Sequence, residues 1–495
     1  RIKTGPHALS RVSPQIRLME GCWKLTLAVL VLLVSTHADA LFSCHMKDFI
    51  KAVQQVEDEN PELEAVEVLR MLRRTAHLND AFVQHFLPDA GSSGPELDAD
   101  LSGYLQRAVQ HRVLEGAREE GVVLAPDGMT VAVGPLLLGI EAGFLSTIPG
   151  RVPGLYQLTL AGNLGVSIRR RSENGEPLGT DGCWDNLTAP HVFTLSDTAS
   201  TLTAAQVHGG MDGVILGKEV SAKAGESVKL SSLLTDYYLH QLDARGMDGA
   251  PRLISRRRRE LFKVLVAPPV LIRQVAKSME LREKLEGRVK MEVRQKRRLM
   301  AAVKETMKEF VHVFMECPPI IARCTWGAAP YIGTPTLLSL PLTYLFIHHT
   351  ASPSQPCLTF EQCSADMRSM QRFHQEERGW DDIGYSFVAG SDGNVYEGRG
   401  WKWQGAHTGG YNSKGYGVSF IGDYTSTLPS QHAMALVRDQ LASCAVAGGR
   451  LVSSYILKGH RQMVSTSCPG NTFYKEITTW GHYQVRAVNH KQNLL

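Results

Sequence analysis

The sequence has little excess charge of either sign, and beyond its first 40 residues it lacks a long uninterrupted apolar run. Its 53 Lys and Arg against 49 Asp and Glu give a formal charge of +4 over 495 residues, which does not indicate nucleic acid as a partner. The most apolar later stretch, Thr130 to Ile148, is interrupted by glycines, a proline and Glu141. It predicts a buried segment, because a membrane span needs about 20 apolar residues. No membrane anchor is therefore predicted.

The chain also lacks an internal repeat, and it is too long for one ordinary core. A length of 495 residues with 43% hydrophobic and 21% charged residues predicts a soluble globular protein with at least two domains. The boundary is predicted near Cys317-Pro318-Pro319, where two prolines end a helical pattern. The resulting division is a region 41–316, a domain 317–482 and a tail 483–495.

Residues 19–40 have the order of features found in a secretory signal. Lys24 precedes the apolar run Leu25 to Val34, and Ala38-Asp39-Ala40 matches an A-x-A cleavage site. We expect residues 1–18 to lie upstream of the initiator Met19, and the mature protein to be secreted and extracellular.

Secretion makes the nine cysteines informative, since disulfides persist in oxidising compartments. Leaving out Cys22 in the signal and Cys468, discussed below, seven cysteines remain. An odd number predicts one thiol that is free or paired with another molecule. The sequon at Asn186 predicts glycosylation of an exposed loop.

The region 41–316 is predicted to be mainly helical. Apolar residues recur at helical spacing over 44–87, with a start near Asn60 to Glu62, and again over 97–120, 231–238 and 261–314. Two basic segments, Arg256 to Arg259 and Arg282 to Arg298, are consistent with a polyanion-binding face, a processing site or a solvated helix face. The sequence does not decide among these three.

After residue 317 strand and helix signals alternate, which predicts an α/β domain with a central mixed sheet flanked by helices. Helices are expected over 359–378, capped by Thr359 and Gln362, and over 431–446. Strands are expected over 343–348, 385–389, 395–397, 417–421 and 455–457, with a hairpin turn at Ser391 to Asn394.

Three residues of this domain have the composition of a catalytic zinc site. His348 ends a predicted strand, and His460 and Cys468 stand eight residues apart. Two imidazoles and one thiolate leave a fourth zinc position for water, as catalytic sites do. In a chain with 18 His and 9 Cys such a trio also arises by chance. The surrounding motifs are therefore needed to decide.

Those motifs occur in order along the domain: Arg323-x-x-Trp326-Gly327, Ile347-His348-His349-Thr350, Asp382-Ile383-Gly384-Tyr385, Tyr396-Glu397-Gly398-Arg399-Gly400-Trp401, Gly405-Ala406-His407-Thr408 and Gly459-His460-Arg461. Together they resemble the peptidoglycan recognition proteins over residues 317–482. That family shares its α/β fold with zinc-dependent N-acetylmuramoyl-L-alanine amidases. The long stretch before the domain is similar to that of the large secreted vertebrate members.

The resemblance implies a zinc hydrolase that cleaves the bond between N-acetylmuramic acid and the first L-alanine of peptidoglycan, in innate immunity. His348, His460 and Cys468 would bind Zn²⁺, Tyr385 would donate a hydrogen bond to the oxyanion, and Thr466 stands where some family amidases carry Lys. There is no H-E-x-x-H helix to supply a carboxylate base.

Further residues are assigned by the same resemblance. The groove for bacterial peptidoglycan and muropeptides would comprise ten residues: His349, Thr350, His374, Arg378, Trp401, Trp403, His407, Thr408, Tyr411 and Asn412. For Trp401 and Trp403 a packing role is the alternative. The family carries a close pair like Cys357 and Cys363, which predicts a disulfide, and Cys317 and Cys444 are expected to pair too.

Two other functions compete with the amidase. A non-cleaving receptor or opsonin would use the same groove, and members of that kind commonly carry Ser in place of the ligand Cys, whereas this chain has Cys468. Alternatively, region 41–316 would carry the main role as a partner-binding or lipid-binding module, a function for which it contains no motif.

Overall fold

A computed structural model describes residues 46–75, 122–145, 204–223, 228–239, 253–285, 292–323 and 325–485. It also describes short pieces at 78, 83–84, 87, 112–114, 117–119, 160–162, 164–165 and 194–196. The signal and the residues before it, the sequon at Asn186, and Cys44, Cys183 and Cys324 lie outside the described residues.

The region before residue 317 is mainly helical where the structure describes it, as predicted. Its helices are α1 (Met46–Glu59), α2 (Ala65–Thr75), α3 (Val133–Leu145), α4 (Ala204–Ala222), α5 (Leu230–Tyr238), α6 (Ile254–Leu265), α7 (Pro268–Leu285) and α8 (Val293–Phe310), followed by a wider π-helical segment at Val311–Glu316. Its strands are β1 (Arg112–Leu114), β2 (Ala117–Glu119), β3 (Val122–Leu124), β4 (Thr130–Ala132) and β5 (Thr194–Ser196). They form one sheet in the order β1-β2-β5 and a β3-β4 pair.

Two predictions for this region are wrong in detail. Asn60 does not start a helix, because its side chain donates a hydrogen bond to the Val56 carbonyl (2.9 Å) and closes α1, and α2 begins only at Ala65. The predicted helix over 97–120 is contradicted at its end, where β1 and β2 pair antiparallel. Gly116 stands between these strands, and a short connection that contains glycine favours a hairpin over a continued helix.

Helices α3 and α4 pack closely through glycine residues. A Cβ atom on Gly217 of α4 would lie 2.7 Å from the Gly143 Cα atom and 2.7 Å from the Ile140 carbonyl oxygen of α3. Only glycine permits such a close approach of two helix backbones. Residues 130–145, within the predicted buried segment, form β4 followed by α3, and the side chains of both elements are largely buried.

We expect Gly217→Ala to destabilise the protein. Alanine gains about 1 kcal/mol of helix propensity, but the added methyl group meets backbone atoms that move only if the helices separate, and overpacking of this kind costs about 1–3 kcal/mol. The thermal unfolding midpoint should therefore fall. Gly481→Ala is the matched control, because no atom lies within 4 Å of its added Cβ. An unchanged midpoint for Gly217→Ala would show that the helix contact is loose.

The run Arg256 to Arg259 lies within α6 rather than in an exposed loop. Arg258 is 2% exposed, and its guanidinium binds both carboxylate oxygens of Asp212 at 2.6 and 2.7 Å. The hydroxyls of Tyr237 and Tyr238 donate to the same carboxylate, each at 2.7 Å. At Arg258 the run is therefore part of the core, which contradicts both a simple processing site and a fully solvated face.

The C-terminal domain is built on a mixed sheet, as predicted. Its strands are β6 (Ile320–Ile321), β7 (Leu342–His349), β8 (Phe387–Ala389), β9 (Val395–Glu397), β10 (Gly415–Phe420) and β11 (Leu451–Gly459). They lie in the order β11-β7-β10-β8-β9-β6. The β8-β9 hairpin is antiparallel and the other neighbouring pairs are parallel.

Helices cover the two faces of this sheet. They are α9 (Phe360–Arg372), with a π-helical continuation at Phe373–Glu377, α10 (Gln431–Ala435), continued at Leu436–Leu441, α11 (Ala442–Ala447) and α12 (Asn471–Ile477). Leu345 and Ile347 of β7 belong to the core beneath α10, α11 and α12. His348 alternates with them along the strand and points to the other face. On that face α9 packs over β8 and β9.

The two parts of the chain share packing. Leu124 and Met129 of the β3-β4 hairpin belong to the same apolar cluster as Phe360 and Met367 of α9. The Asn394 side chain also donates to the Asp127 carbonyl at 3.1 Å. Among the described helices, none is both long enough and apolar enough to cross a bilayer.

Candidate active site

The sheet brings His348, His460 and Cys468 together, although up to 120 residues separate them in the chain. His348 lies near the end of β7, His460 follows the last residue of the neighbouring parallel strand β11, and Cys468 lies in the loop before α12. Their ligand atoms all lie within 4.8 Å of one another. Because the carboxyl ends of parallel strands meet at one edge of a sheet, this edge gathers the three side chains.

The geometry of the three side chains fits zinc. The Cys468 Sγ atom lies 3.8 Å from the Nδ1 atom of His348. Zn–S and Zn–N bonds of about 2.3 and 2.0–2.1 Å in a tetrahedral site separate sulfur and nitrogen by about 3.5 Å. Cys468 is also the free cysteine among the described residues, which leaves its sulfur available to a metal.

Burial keeps all three groups uncharged without a metal. Desolvation, and then the neighbouring His460, lower the pKa of His348 well below its ordinary value. Burial lowers the pKa of His460 to about 4 and raises the pKa of the Cys468 thiol to about 12. Neutral imidazoles are the form that binds metals, whereas the thiol must lose its proton. Metal binding here would therefore release a proton.

Tyr385 lies beside this trio, just before β8. Its ring centroid is 5.5 Å from that of His348, and the His374 ring meets it edge-on at 5.7 Å. Burial, and then the Cys468 sulfur, raise the pKa of Tyr385 to about 12. The phenol therefore keeps its proton at neutral pH and acts as a hydrogen-bond donor.

His374 supports this arrangement from the end of α9. Its Nδ1 atom accepts a hydrogen bond from the Gly384 backbone N–H at 3.2 Å, and its ring stacks on Trp380 at 4.7 Å. It is 8% exposed, and burial lowers its pKa to about 4. His374 therefore fixes the position of Tyr385 from within the wall of the site.

His407 and Thr408 lie behind His348, on the side away from Cys468. The Thr408 hydroxyl oxygen is 3.3 Å from His348 Nε2 and 3.0 Å from His407 Nδ1. The Asn412 carbonyl oxygen accepts hydrogen bonds from the backbone N–H groups of His407 (3.0 Å) and Thr408 (2.7 Å). Thr408 is fully buried. Its hydroxyl therefore faces the candidate metal ligand and not the solvent.

Arg461 holds the loop that carries Cys468, a role that sequence reasoning missed. Its guanidinium donates to the Ser467 and Cys468 carbonyls and, at 2.8 Å, to the Asn471 side chain. The motif Gly459-His460-Arg461 was the available signal, since Arg461 directly follows a ligand. Thr466 is exposed, and its hydroxyl accepts from the Cys468 N–H at 3.3 Å, so it contributes to the turn.

An aromatic row continues from His348 along the same face of the sheet. Tyr344 and Phe346 stack at 5.5 Å, and the Tyr411 ring stands edge-on to both, at 6.0 and 6.2 Å. The sequence analysis named Tyr411 but not Tyr344. The alternation of a β-strand was the missed signal, because Tyr344, Phe346 and His348 are two residues apart.

Trp401 and Trp403 both make packing contacts, and their place in the groove stays a prediction. Trp401 packs on Phe387 (4.2 Å) and Tyr416 (5.2 Å), two residues of the core on the opposite face of the sheet. Trp403 is 8% exposed and meets Tyr331 edge-on at 5.3 Å. The alternative interpretation, packing, fits both residues.

Two other proposed groove residues form hydrogen bonds with the nearby backbone, and a third is exposed. His349 alternates with His348, and its Nδ1 accepts from the Tyr424 N–H at 3.1 Å. The Thr350 hydroxyl donates to the Pro353 carbonyl at 2.8 Å and accepts from the Gly422 N–H at 2.9 Å. Arg378 is exposed beside the ring of Phe373, 5.2 Å from its centroid.

Both expected disulfides are present in the structure. Cys357 joins Cys363 at the start of α9, and Cys317 joins Cys444 of α11. His312 lies close enough to Cys317 and Cys444 to form a second group of potential metal ligands. Because those two sulfurs are bonded to each other, they offer no thiolate to a metal.

Comparison with known proteins agrees with this site. A family model described as N-acetylmuramoyl-L-alanine amidase matches residues 338–471, which include the three candidate ligands.

Long relatives match most of the chain. The N-acetylmuramoyl-L-alanine amidase of Mus musculus is 44% identical over 452 residues, 80% of this chain and 83% of the relative. That of Homo sapiens is 40% identical over 484 residues, 81% of this chain and 83% of the relative. A shorter relative, the peptidoglycan-recognition protein SC2 of Drosophila simulans, is 45% identical over 167 residues, 34% of this chain and 88% of its own length.

Proposed function

The chain belongs to the peptidoglycan recognition protein family, among its long N-acetylmuramoyl-L-alanine amidases, and from this premise we propose that it is a secreted, zinc-dependent enzyme of innate immunity. Its proposed reaction is hydrolysis of the amide between N-acetylmuramic acid and L-alanine in bacterial peptidoglycan. The proposed catalytic domain spans residues 317–482 and follows a mainly helical region of residues 41–316.

One observation carries the zinc dependence. His348, His460 and Cys468 converge at one edge of the sheet, and the 3.8 Å between Cys468 Sγ and His348 Nδ1 is close to the S–N separation of a tetrahedral zinc site. Three protein ligands leave one position for a reacting group, which is the composition of catalytic zinc sites. Bound there, zinc supplies a Lewis acid that polarises the scissile carbonyl and acidifies the attacking water.

The remaining chemistry falls to the protein's own side chains. Tyr385 keeps its proton at neutral pH and stands next to His348, so its hydroxyl would donate a hydrogen bond to the carbonyl oxygen as negative charge develops on it. Tyr344 and Tyr411, which are partly exposed and pack on the buried Phe346, would hold the muropeptide against the sheet. Arg461 would keep Cys468 in place.

Two observations bear on the competing functions. A non-cleaving receptor has no need of a free thiol beside two imidazoles, and Cys468 supplies one. The long relatives that match 83% of their own length are named for the amidase activity, which favours cleavage over a separate main role for region 41–316. The two disulfides fit an oxidising, extracellular location.

The direct test is mass analysis of a purified muropeptide after incubation with the protein. We expect release of the free stem peptide and loss of this product after treatment with a chelator. Zinc should restore cleavage, whereas magnesium, which prefers six oxygen ligands, should not. Cleavage that persists fully in a metal-free preparation would contradict the zinc mechanism. An intact muropeptide in the presence of zinc would favour the non-cleaving receptor.

A further inference from the structure

The Thr408 side chain lies on the far side of His348 from Cys468. In the family resemblance Thr408 is a groove residue, but its side chain is fully buried and offers no surface to a muropeptide. The hydroxyl instead stands between two imidazoles, 3.3 Å from His348 Nε2 and 3.0 Å from His407 Nδ1. The Thr408 hydroxyl is thus within hydrogen-bonding distance of the His348 ring and can orient it.

Metal binding through the His348 nitrogen that faces Cys468 would determine where the hydrogens of His348, Thr408 and His407 lie. That nitrogen, His348 Nδ1, lies 3.8 Å from Cys468 Sγ and must offer a lone pair to a metal. A neutral imidazole then carries its hydrogen on Nε2. In that tautomer the N–H would donate to the Thr408 oxygen, which lies 3.3 Å away. The single hydroxyl hydrogen of Thr408 is then free to bind His407 Nδ1.

The backbone around Thr408 is held in place independently of the metal. The Asn412 carbonyl oxygen accepts the N–H groups of both His407 and Thr408, at 3.0 and 2.7 Å. The His348 backbone is held as well, because His348 is paired in the sheet with Ser419 of β10. With both backbones held, the Thr408 hydroxyl can fix the orientation of the His348 ring.

We propose that Thr408 is a positioning residue that holds His348 with Nδ1 directed at the metal and Nε2 protonated. The proposal rests on the proposed zinc site and deepens it. Hydrogen-bond partners of metal-binding histidines typically contribute 10- to 100-fold to metal affinity, because they fix both the tautomer and the ring orientation. The hydroxyl, and not the size of the side chain, is the feature that matters.

The test compares Thr408→Val, which keeps the shape and removes the hydroxyl, with Thr408→Ser, which keeps the hydroxyl. Zinc affinity is measured by competition with a chromophoric chelator on the full chain. We expect the Val variant to bind zinc about 10- to 100-fold more weakly than wild type, and the Ser variant to stay within about threefold. Cleavage by the Val variant should recover as free zinc is raised.

The same variants separate this inference from the proposed function. If wild type binds zinc tightly and Thr408→Val binds it equally tightly, the positioning role is wrong and the zinc enzyme stands. If wild type itself does not bind zinc, the proposed function fails first. A loss of muropeptide binding by metal-free Thr408→Val, with unchanged zinc affinity, would show that Thr408 binds the muropeptide and does not position His348. Should Thr408→Val fail to fold, Thr408→Ala provides the same comparison with Thr408→Ser.

Discussion

Cys468→Ser is expected to abolish hydrolysis while muropeptide binding survives. Serine stays protonated near neutral pH and is a poor zinc ligand, so His348 and His460 alone would hold the metal weakly. The Lewis-acid contribution is worth several kcal/mol, and a factor of ten in rate corresponds to about 1.4 kcal/mol. We therefore expect kcat/KM to fall by at least about 10³-fold. The partly exposed rings of Tyr344 and Tyr411 do not involve the thiolate, so the Kd for a muropeptide should change little.

Two measurements on the same preparations make this expectation specific. Zinc content after dialysis should fall in Cys468→Ser, and the thermal midpoint should show that the domain remains folded. Ser465→Ala, at an exposed position of the same loop, is the matched control and should keep both zinc and activity. Full hydrolysis by Cys468→Ser in zinc-free buffer would overturn the mechanism. Loss of muropeptide binding together with activity would mean that the thiolate also shapes the groove.

The two histidine ligands could be found from sequence because each stands in a recognisable motif at, or directly after, the end of a predicted strand. His348 lies next to the last residue of β7 and His460 follows β11, and neighbouring parallel strands must bring their carboxyl ends together. Cys468 was a candidate from its spacing to His460, and the family resemblance was needed to support it, since its loop has no regular periodicity. The register of the sheet, which decides the actual S–N distance, became visible only in the structure.

Family motifs do not say which face of a sheet a residue occupies, so the surroundings of the predicted groove residues became visible only in the structure. Trp401 follows a glycine in a matching motif, yet it packs beneath the face opposite to His348. Thr408 matches a motif too, but the loop closed by Asn412 turns its hydroxyl inward. Neither outcome follows from composition, because both depend on contacts between residues distant in sequence.

For the residues before 317, prediction from sequence was limited to local features. Helical periodicity predicted most of the described helices there, since an amphipathic face is a local property. The burial of Arg258 was not predictable, because its partner Asp212 lies 46 residues earlier in a helix without a strong apolar face. The glycine contact of α3 with α4 also depends on how two distant segments meet.

Tyr385→Phe is expected to retain zinc and lose most of the rate. The substitution removes one hydroxyl and keeps the ring that packs against His348 and His374. None of the three metal ligands is altered, so the zinc Kd should stay near that of wild type. Loss of one oxyanion donor costs about 10²–10³ in kcat, and we expect that decrease with KM changed by less than about threefold.

Measuring zinc affinity and hydrolysis rate together distinguishes the role of Tyr385 from those of Cys468 and Thr408. Cys468→Ser should lose zinc and rate together, and Thr408→Val should regain its rate when zinc is raised. Tyr385→Phe should keep its zinc, and its rate should not recover when zinc is raised, because more metal cannot replace a hydrogen-bond donor to the oxyanion. Tyr455→Phe is the matched control, since this tyrosine packs against His482 and belongs to the core on the face of the sheet opposite to His348. A Tyr385→Phe variant with wild-type kcat would remove the phenol from the mechanism and leave oxyanion stabilisation to the zinc alone.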